Sequence, residues 1–176
     1  MTKSKWVLDA SHSLVEFSVK HMMIATVKGR FSSLQGEILV DPAEIAGAEF
    51  SVTVDASSID TREAQRDEHL KSADFFDVAT YPTLTFLSRS VEPKGDDEYA
   101  LVGELTMHGV TREVNFNLTY EGQGRDPWGN TRIGFTATAT VNRKDYGLTW
   151  NAALETGGVL VGETVKIEIH TEAIKQ

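Results

Sequence analysis

Apolar and polar residues alternate along most of the chain, with the period of two that is typical of a strand with one buried face. In the stretch 13–21, for example, Val15, Phe17 and Val19 point to one side and the polar residues between them point to the other. Similar runs, some of them less regular, cover the stretches 27–40, 48–55, 83–91, 98–107, 111–120, 131–143 and 163–173. The pattern predicts about eight long strands.

Strands with one apolar and one polar face are characteristic of antiparallel sheets, which makes the predicted fold class all-β. So many strands in one small domain favour a closed barrel or a sandwich, because open sheet edges invite aggregation. We expect a two-residue turn at 107–110, where His108 and Gly109 accept positive φ, and a longer loop over 122–130. The 176 residues contain no repeat or linker, which predicts a single domain spanning 1–176.

One segment departs from the strand pattern and predicts a short helical element over about 61–76. Asp60 followed three residues later by Glu63 resembles a capping box, which marks the start of a helix. On a helix over 61–72, the neighbours of His69 at three and four residues are Gln65, Arg66, Ser72 and Ala73, none of them a carboxylate. We expect the charges to pair within the helix instead: Asp67 with Lys71, Glu63 with Arg66, and Glu68 with Lys71.

The histidines do not form a metal-binding pattern, because two ligands at helical spacing are missing. We therefore predict no metal site. His12, His108 and His170 fall at turns or on a polar strand face. His21 differs because it continues the face formed by Val15, Phe17 and Val19. It is either a hydrogen-bonded core residue or a polar group inside a ligand cavity.

Composition and charge exclude several classes of function. The chain has no cysteine, which removes disulfides, thiolate metal sites and cysteine nucleophiles. A net charge of −9, without a basic run longer than two residues, argues against a nucleic-acid partner. No apolar run is long enough to span a membrane. The first residues lack the features of a signal peptide, so we expect a cytoplasmic protein unless a leader was removed.

The phenylalanines suggest what the barrel could contain. They occur on six predicted strands and as the pair Phe75-Phe76 on the helical segment. In a barrel of about eight strands, side chains either just fill the interior or leave space for one ligand. Small residues within the strands, including Gly29, Gly36, Gly103 and Gly134, would leave room. An elongated apolar cavity is therefore plausible from the residues alone.

Several motifs, distributed over nearly the whole chain, resemble the YceI-like family of polyisoprenoid-binding proteins. They are WVLDASHS (6–13), FSVKH (17–21), VKGRF (27–31), SIDT (58–61), RDEHLKSADFFD (66–77), YPTLTF (81–86), GELTMHGVT (103–111) and NRKDYGL (142–148). The resemblance implies a lipocalin-like antiparallel β-barrel that holds a long amphiphilic lipid, with the helical segment near the barrel mouth. Ligands of the family include isoprenoid chains, isoprenoid quinones and long-chain fatty amides. The resemblance implies binding, storage or transport, without a catalytic residue or a cofactor other than the lipid.

On this basis we predict a set of inward-facing residues that bind the lipid, with His21 contacting its polar head group: Phe17, Val19, His21, Phe31, Phe50, Phe75, Phe76 and Phe86. The family's R-D-x-H-L…F-F-D motif corresponds to Arg66, Asp67, His69, Leu70, Phe75, Phe76 and Asp77. We expect Arg66, Asp67, His69 and Asp77 to hold the segment in place while Phe75 and Phe76 turn inward. A homodimer would suit a barrel with a hydrophobic mouth. The alternatives are a small enzyme that uses His21 or His69 with a carboxylate, and a module that binds partners through its outer surface.

Overall fold

A computed structural model describes residues 2–154 and 158–176. The described residues form eleven strands, numbered β1 to β11, one α-helix, α1, and three short 3-10 helices. The strands are Ser4–Leu8, Leu14–His21, Ala25–Phe31, Leu34–Asp41, Glu44–Asp55, Ile59–Asp60, Thr83–Gly95, Glu98–Met107, Val110–Arg125, Thr131–Asn142 and Thr164–Lys175, and α1 is Ala64–Lys71.

The strands form one antiparallel sheet that closes into a barrel, which confirms the predicted fold class. The barrel has eight strand positions around it, which we call staves, and three of the staves consist of two strands in line. β1 and β2 lie end to end along β11, because β11 pairs with β2 through Lys166–His170 and with β1 through Ala173–Lys175. β4 and β3 pair with β1 and β2 in turn, and β5 and β6 continue the same arrangement. From there β7, β8, β9, β10 and β11 follow in chain order. Each of the eight stretches with alternating residues corresponds to one position around this barrel.

The antiparallel order places the loops at two ends of the barrel. We call one of them the mouth end; it carries the β2–β3 turn, α1 with its following loop, the β8–β9 turn and the β10–β11 connection. The opposite, closed end carries the start of β1, the end of β11 and the β4–β5, β7–β8 and β9–β10 turns. It is filled by side chains with no more than 1% exposure: Trp6, Ile38, Val40, Ile133 and Ala173.

An arginine joins three segments at the closed end. Arg132 on β10 donates to the carboxylates of Asp9 at 2.7 Å, Asp126 at 2.8 Å and Glu172 at 3.0 Å. Hydrogen bonding to Arg132 holds the pKa of Asp9 and of Asp126 well below the usual range of a carboxyl group. The network ties the chain after β1, the β9–β10 turn and β11 to one guanidinium.

This network predicts part of the protein's acid sensitivity. Carboxyl groups whose pKa is lowered by folding stabilise the protein fully above their unfolded pKa of about 3.9, and this contribution is lost as the pH falls through the lowered value. We expect Arg132→Met to be less stable than the parent at neutral pH and to lose less of its remaining stability between pH 4 and pH 2. Urea unfolding at several pH values measures this difference. Arg125→Met, at an exposed arginine on β9, is the control and should retain the parent's pH dependence; equal slopes for the parent and Arg132→Met would contradict the assignment.

The turns confirm one prediction and correct another. His108 and Gly109 have φ of 55° and 73° and connect the paired residues Met107 and Val110, as the sequence predicts. The prediction of a loop over 122–130 is wrong in its first half, because β9 continues to Arg125. Gly122, with φ of 111°, is accommodated there at a β-bulge, because Glu121 is an extra residue of β9 between the paired Tyr120 and Gly122. The turn itself occupies only 126–130.

The helix is shorter than the predicted segment 61–76 and starts later. Glu63, rather than Asp60, is the N-cap and accepts from the backbone N–H of Arg66. Asp60 instead accepts from the backbone N–H of Arg62 two residues on, which is a local turn and not a capping box. The helix ends at Lys71, and the chain then forms successive turns as far as Tyr81.

Candidate functional site

An apolar cavity of about 170 Å³ lies inside the barrel, toward the mouth end. Its wall is built from the inward positions of the staves and from the segment 61–81, which we call the lid segment. Apart from Thr85, Arg143 and Thr171, every lining residue is aliphatic, aromatic or methionine. Because successive side chains of a strand point to opposite faces of the sheet, the apolar residues of all the strands together form a continuous hydrocarbon wall around the interior.

Seven of the eight residues predicted to bind ligand line this cavity: Phe17, Val19, Phe31, Phe50, Phe75, Phe76 and Phe86. His21 is not among the lining residues. It is the last residue of β2, half-buried, where it pairs with Ala25 and forms a bridge with Val161. Val161, its bridge partner, does line the cavity, and the predicted contact between His21 and a head group stays a prediction.

The prediction omitted the far wall of the cavity. This wall is formed by inward residues of β8 to β11, among them Leu101, Leu105, Phe116, Leu118 and Phe135. The same alternation that identified Phe17 and Val19 also marks these positions, so the signal was present in the sequence. Arg143, which follows Val141 by two residues and therefore shares its inward side, was the least expected member.

Aromatic rings pack against one another around the cavity. Phe31 lies between Phe17 and Phe76, with ring centroids 5.5 and 5.6 Å apart, and the second contact is edge-to-face. Such geometries are favourable for aromatic pairs. Phe17 and Phe76 are only partly buried, in contrast to Phe31 at 4% exposure, so this row of rings leads from the interior toward the surface.

Two glycines in the strands make room for rings and not for a wider lumen. A β-carbon at position 29 would collide with the ring of Phe17, and one at position 103 would collide with the ring of Phe86. The expectation that Gly29 and Gly103 leave cavity space is therefore wrong. They allow phenylalanine side chains to lie flat against the barrel wall, which determines the shape of the cavity.

The lid segment is held by hydrogen bonds from the predicted motif. Arg66 donates to the hydroxyl and the carbonyl oxygen of Thr61 at 2.8 and 2.7 Å, and Asp67 accepts from the backbone N–H of Thr61 at 2.9 Å. Asp77, with φ of 47°, donates its N–H to Ser72 and accepts from the N–H groups of residues 80 and 81. These bonds fix the loop that carries Phe75 and Phe76 into the cavity wall.

The predicted charge pairing of the helix is largely wrong. Only Glu68 and Lys71 form an ion pair, at 3.6 Å. Asp67 binds Thr61 rather than Lys71, and Glu63 caps the helix rather than pairing with the Arg66 side chain. The pairing rule assumes a helix that continues, whereas this one has only eight residues and its first turn is occupied by capping.

His69 also has a carboxylate partner, which the neighbour count on a longer helix missed. Its Nε2 lies 2.9 Å from Oδ2 of Asp74, and its ring meets those of Phe75 and Trp150 edge-to-face at 5.1 and 4.7 Å. Because the helix ends at Lys71, the turn that follows brings Asp74 back to the histidine. His69 and Asp74 are both substantially exposed at the outer surface, and neither lines the cavity.

A buried arginine organises the β10–β11 connection beside the cavity. Arg143 is 4% exposed, and its guanidinium donates to the carbonyl oxygens of Leu148, Trp150, Val161 and Gly162 at 2.7 to 3.2 Å. Burial lowers its pKa from the ordinary value of an arginine, while nearby Glu163 opposes this effect. One charged side chain thus holds two stretches of loop against the barrel.

Tyr146 carries a buried hydroxyl without a hydrogen-bond partner among the described residues. The side chain is 1% exposed, and burial raises the pKa of its hydroxyl to about 12. A buried polar group that finds no partner keeps its desolvation cost. Removing it should therefore help the fold.

We expect Tyr146→Phe to raise the free energy of unfolding by about 1 kcal/mol, since the ring is kept and only the unsatisfied hydroxyl is lost. The gain should grow between pH 10 and pH 12. The parent's tyrosine ionises at a lower pH in the unfolded state than in the folded state, so the parent loses stability over this range and the phenylalanine variant does not. Urea unfolding at neutral and alkaline pH measures both effects. Tyr99→Phe, at a half-buried residue, should change little; a destabilised Tyr146→Phe variant would show that the hydroxyl has a partner after all.

Groups of three or more acidic or histidine side chains that could hold a metal ion are absent from residues 2–154 and 158–176. Over the same residues, the structure contains no helix long and apolar enough to cross a membrane.

A closed antiparallel barrel around a cavity lined by hydrocarbon is typical of lipocalin-like barrels. The model of the YceI-like domain matches residues 6–173, and the chain belongs to this family. A UPF0312 protein of Vibrio cholerae is 37% identical over 173 residues, which cover 97% of this chain and 87% of the relative.

Solved structures show the same fold. The crystal structure of BcnA from Burkholderia cenocepacia has a TM-score of 0.82 at 25% identity and covers 94% of this chain and 98% of its own. A polyisoprenoid-binding domain from Saccharophagus degradans, implicated in plant cell wall breakdown, has a TM-score of 0.75 at 18% identity and covers 97% and 98%. At 18% identity the second likeness establishes the fold alone.

Proposed function

We propose that this protein binds a long-chain amphiphilic lipid in the barrel cavity, and stores or transports it without chemical conversion. The observation that carries the proposal is the wall of the cavity, in which all but three residues present hydrocarbon, aromatic rings or a thioether. Such a wall offers few hydrogen bonds to a polar ligand, whereas each buried methylene of an apolar chain contributes roughly 0.8 kcal/mol.

The size of the cavity bears on how a long ligand enters. A volume of about 170 Å³ is close to that of an engineered cavity of roughly 150 Å³ that binds benzene. A polyisoprenoid, an isoprenoid quinone or a fatty amide is longer, so its chain extends through the mouth or displaces the partly buried rings of Phe17 and Phe76. Both rings lie on the mouth side of the cavity, where movement disturbs the closed end least.

A series of ligands tests this proposal. Geraniol, farnesol and geranylgeraniol differ only in the number of isoprene units, and equilibrium binding should tighten from the first to the second as more methylene and methyl groups are buried. Isothermal calorimetry should show the negative heat-capacity change that marks burial of apolar surface. No binding across the series and for a long-chain fatty amide would contradict the proposal.

His69 and Asp74 are the observation that favours a second candidate, a small enzyme with an acid/base pair. The pair lies at the outer surface, and the aromatic contacts of His69 give it a role in holding the lid segment. His69→Ala distinguishes the two: under lipid binding, the variant loosens the lid and changes the rate of ligand release. Detection of a chemically altered ligand with the parent but not with the variant would favour catalysis.

A further inference from the structure

Three consecutive apolar side chains project from the β2–β3 turn. Met22, Met23 and Ile24 are 41%, 63% and 82% exposed. Other exposed large apolar residues of the described chain, Leu39, Leu87 and Trp128, lie singly on separate elements. Scattered apolar residues are normal on a protein surface, whereas a contiguous group marks an interaction site. We call residues 22–24 the hairpin tip.

The backbone holds these side chains outward at a conformational cost. Met22 and Met23 have φ of 52° and 62° in a turn closed by the N–H of Ile24 donating to the carbonyl of His21. Asparagine and glycine are the residues that suit such a turn, because side chains with longer branches rarely adopt positive φ. The N–H of Met22 donates to Leu160, and the sulfur of Met23 packs over Gly158. The hairpin tip is thus a fixed feature of the mouth end.

The hairpin tip is continuous with the apolar cavity. Phe17 and Val19, on the strand that leads to the tip, line the cavity and are partly exposed. β6 pairs with β3 only at Arg30 and Phe31. The part of β3 next to the tip therefore has no strand from the described residues on its other side. An apolar chain leaving the cavity along β2 would emerge beside residues 22–24.

The charges around the hairpin tip differ from those of the chain as a whole. The protein carries a net charge of −9, yet the residues from Phe17 to Gly36 include no aspartate or glutamate. Lys20 and Lys28 lie exposed on the outer face of the hairpin, and across the described residues neither lies within 4.0 Å of a carboxylate. Arg30, nearer the base, faces Glu16 across the strands and lies 3.8 Å from Asp60. Within residues 17–36, the positive charge that faces no carboxylate therefore lies in the half of the hairpin next to the tip.

We propose that the hairpin tip docks the barrel mouth onto the surface of an anionic lipid bilayer. The apolar side chains enter the boundary between head groups and acyl chains, while Lys20 and Lys28 lie among the negatively charged head groups. The docked orientation places the opening of the cavity against the membrane. The purpose of docking rests on the proposed function, because the membrane would be the surface with which a bound lipid is exchanged. The docking itself is measured without a ligand.

Flotation of the purified full chain with vesicles tests the docking. The protein should bind phosphatidylcholine vesicles that contain phosphatidylglycerol, bind pure phosphatidylcholine far less, and dissociate as salt is raised. Ile24→Ser should lower the vesicle partition coefficient roughly tenfold, because most of that side chain is available for burial. Lys20→Gln combined with Lys28→Gln should lower it by about fivefold per lysine.

Trp128→Ser is the matched control. Trp128 is 80% exposed, close to the 82% of Ile24, but it lies in the β9–β10 turn at the closed end, beside Asp126. The control should keep the parent's partition coefficient. Loss of vesicle binding in Trp128→Ser but not in Ile24→Ser, or equal binding to both vesicle compositions, would overturn the proposal. So would a concentration-dependent dimer that Ile24→Ser abolishes in the absence of vesicle binding, since the tip would then bind a second copy.

Farnesol binding in solution separates this inference from the proposed function. Ile24 does not line the cavity, so Ile24→Ser should bind farnesol as the parent does. If the parent binds farnesol but no vesicles, docking is refuted while lipid binding stands. If it docks on anionic vesicles but binds no apolar chain, the docking stands and the proposed function fails.

Discussion

Arg143→Met is expected to lower the free energy of unfolding by about 3–5 kcal/mol, because it removes a buried charge that donates to four carbonyl oxygens. Methionine fills part of the space but donates nothing, so the carbonyls of Leu148, Trp150, Val161 and Gly162 lose their common partner. Urea unfolding followed by circular dichroism measures the loss. We also expect the connection 143–163 to become sensitive to proteolysis before the rest of the barrel unfolds.

Two substitutions define what the arginine contributes. Arg143→Lys keeps the charge, but an ammonium group has only three donors, so its loss should be smaller than that of Arg143→Met and still clear. Arg30→Met is the control at an exposed arginine with one long ion pair, and it should change stability by no more than about 0.5 kcal/mol. A stable Arg143→Met variant with an intact mouth would contradict the role assigned to the arginine.

Ala137→Leu is expected to weaken binding of a long-chain lipid by roughly fiftyfold. Ala137 lies on β10, is 7% exposed and lines the cavity. The substitution adds three carbon atoms that occupy ligand space, and at about 0.8 kcal/mol for each displaced methylene the loss is about 2.4 kcal/mol. Stability should change little, because the new side chain fills a space that already exists and does not force a packed region apart.

Thr138→Leu is the matched control for this substitution, since the neighbouring residue points outward and is exposed. It should bind lipid as the parent does. Equilibrium titration of the parent and both variants with farnesol gives the comparison. Equal affinity for all three proteins would show that ligand does not occupy the space beside Ala137, whereas weakening in Thr138→Leu alone would place the ligand on the outer surface.

Alternation along the strands was sufficient to predict the barrel and one side of its inner wall. Phe17, Val19, Phe31, Phe50 and Phe86 line the cavity because each belongs to the apolar phase of a strand. The phase is a strong signal, since a shift by one residue would turn the whole apolar face of a strand to solvent. The breaks between β1 and β2 and between β3 and β4 did not disturb this alternation, because in each pair the second strand runs in the same direction as the first.

The signal was insufficient where a strand or helix ends. His21 has the phase of Val19 but is not among the residues that line the cavity, and periodicity alone does not mark where the cavity stops. Asp74 reaches His69 only because α1 ends at Lys71. A neighbour count on a longer helix excludes that contact. Boundaries of this kind depend on tertiary packing, which the local pattern does not contain.

Arg143 and Gly103 show a different kind of failure. Alternation continued one residue past the end of β10 places Arg143 on the inward side, but its guanidinium is satisfied by carbonyls of the connection that follows, from Leu148 to Gly162. Gly103 was expected to widen the lumen, whereas the ring of Phe86 covers it. In both cases the outcome depends on contacts with another segment of the chain, which the pattern of one strand does not show.

Native mass spectrometry of the purified protein, followed by organic extraction and identification of what is released, is the most direct test of lipid binding in the cavity. We predict a mass excess that disappears on extraction and corresponds to a long-chain isoprenoid, an isoprenoid quinone or a fatty amide, present in the parent and in Thr138→Leu and reduced in Ala137→Leu. A protein that carries no extractable lipid, and takes up none when incubated with farnesol or geranylgeraniol, would contradict the account.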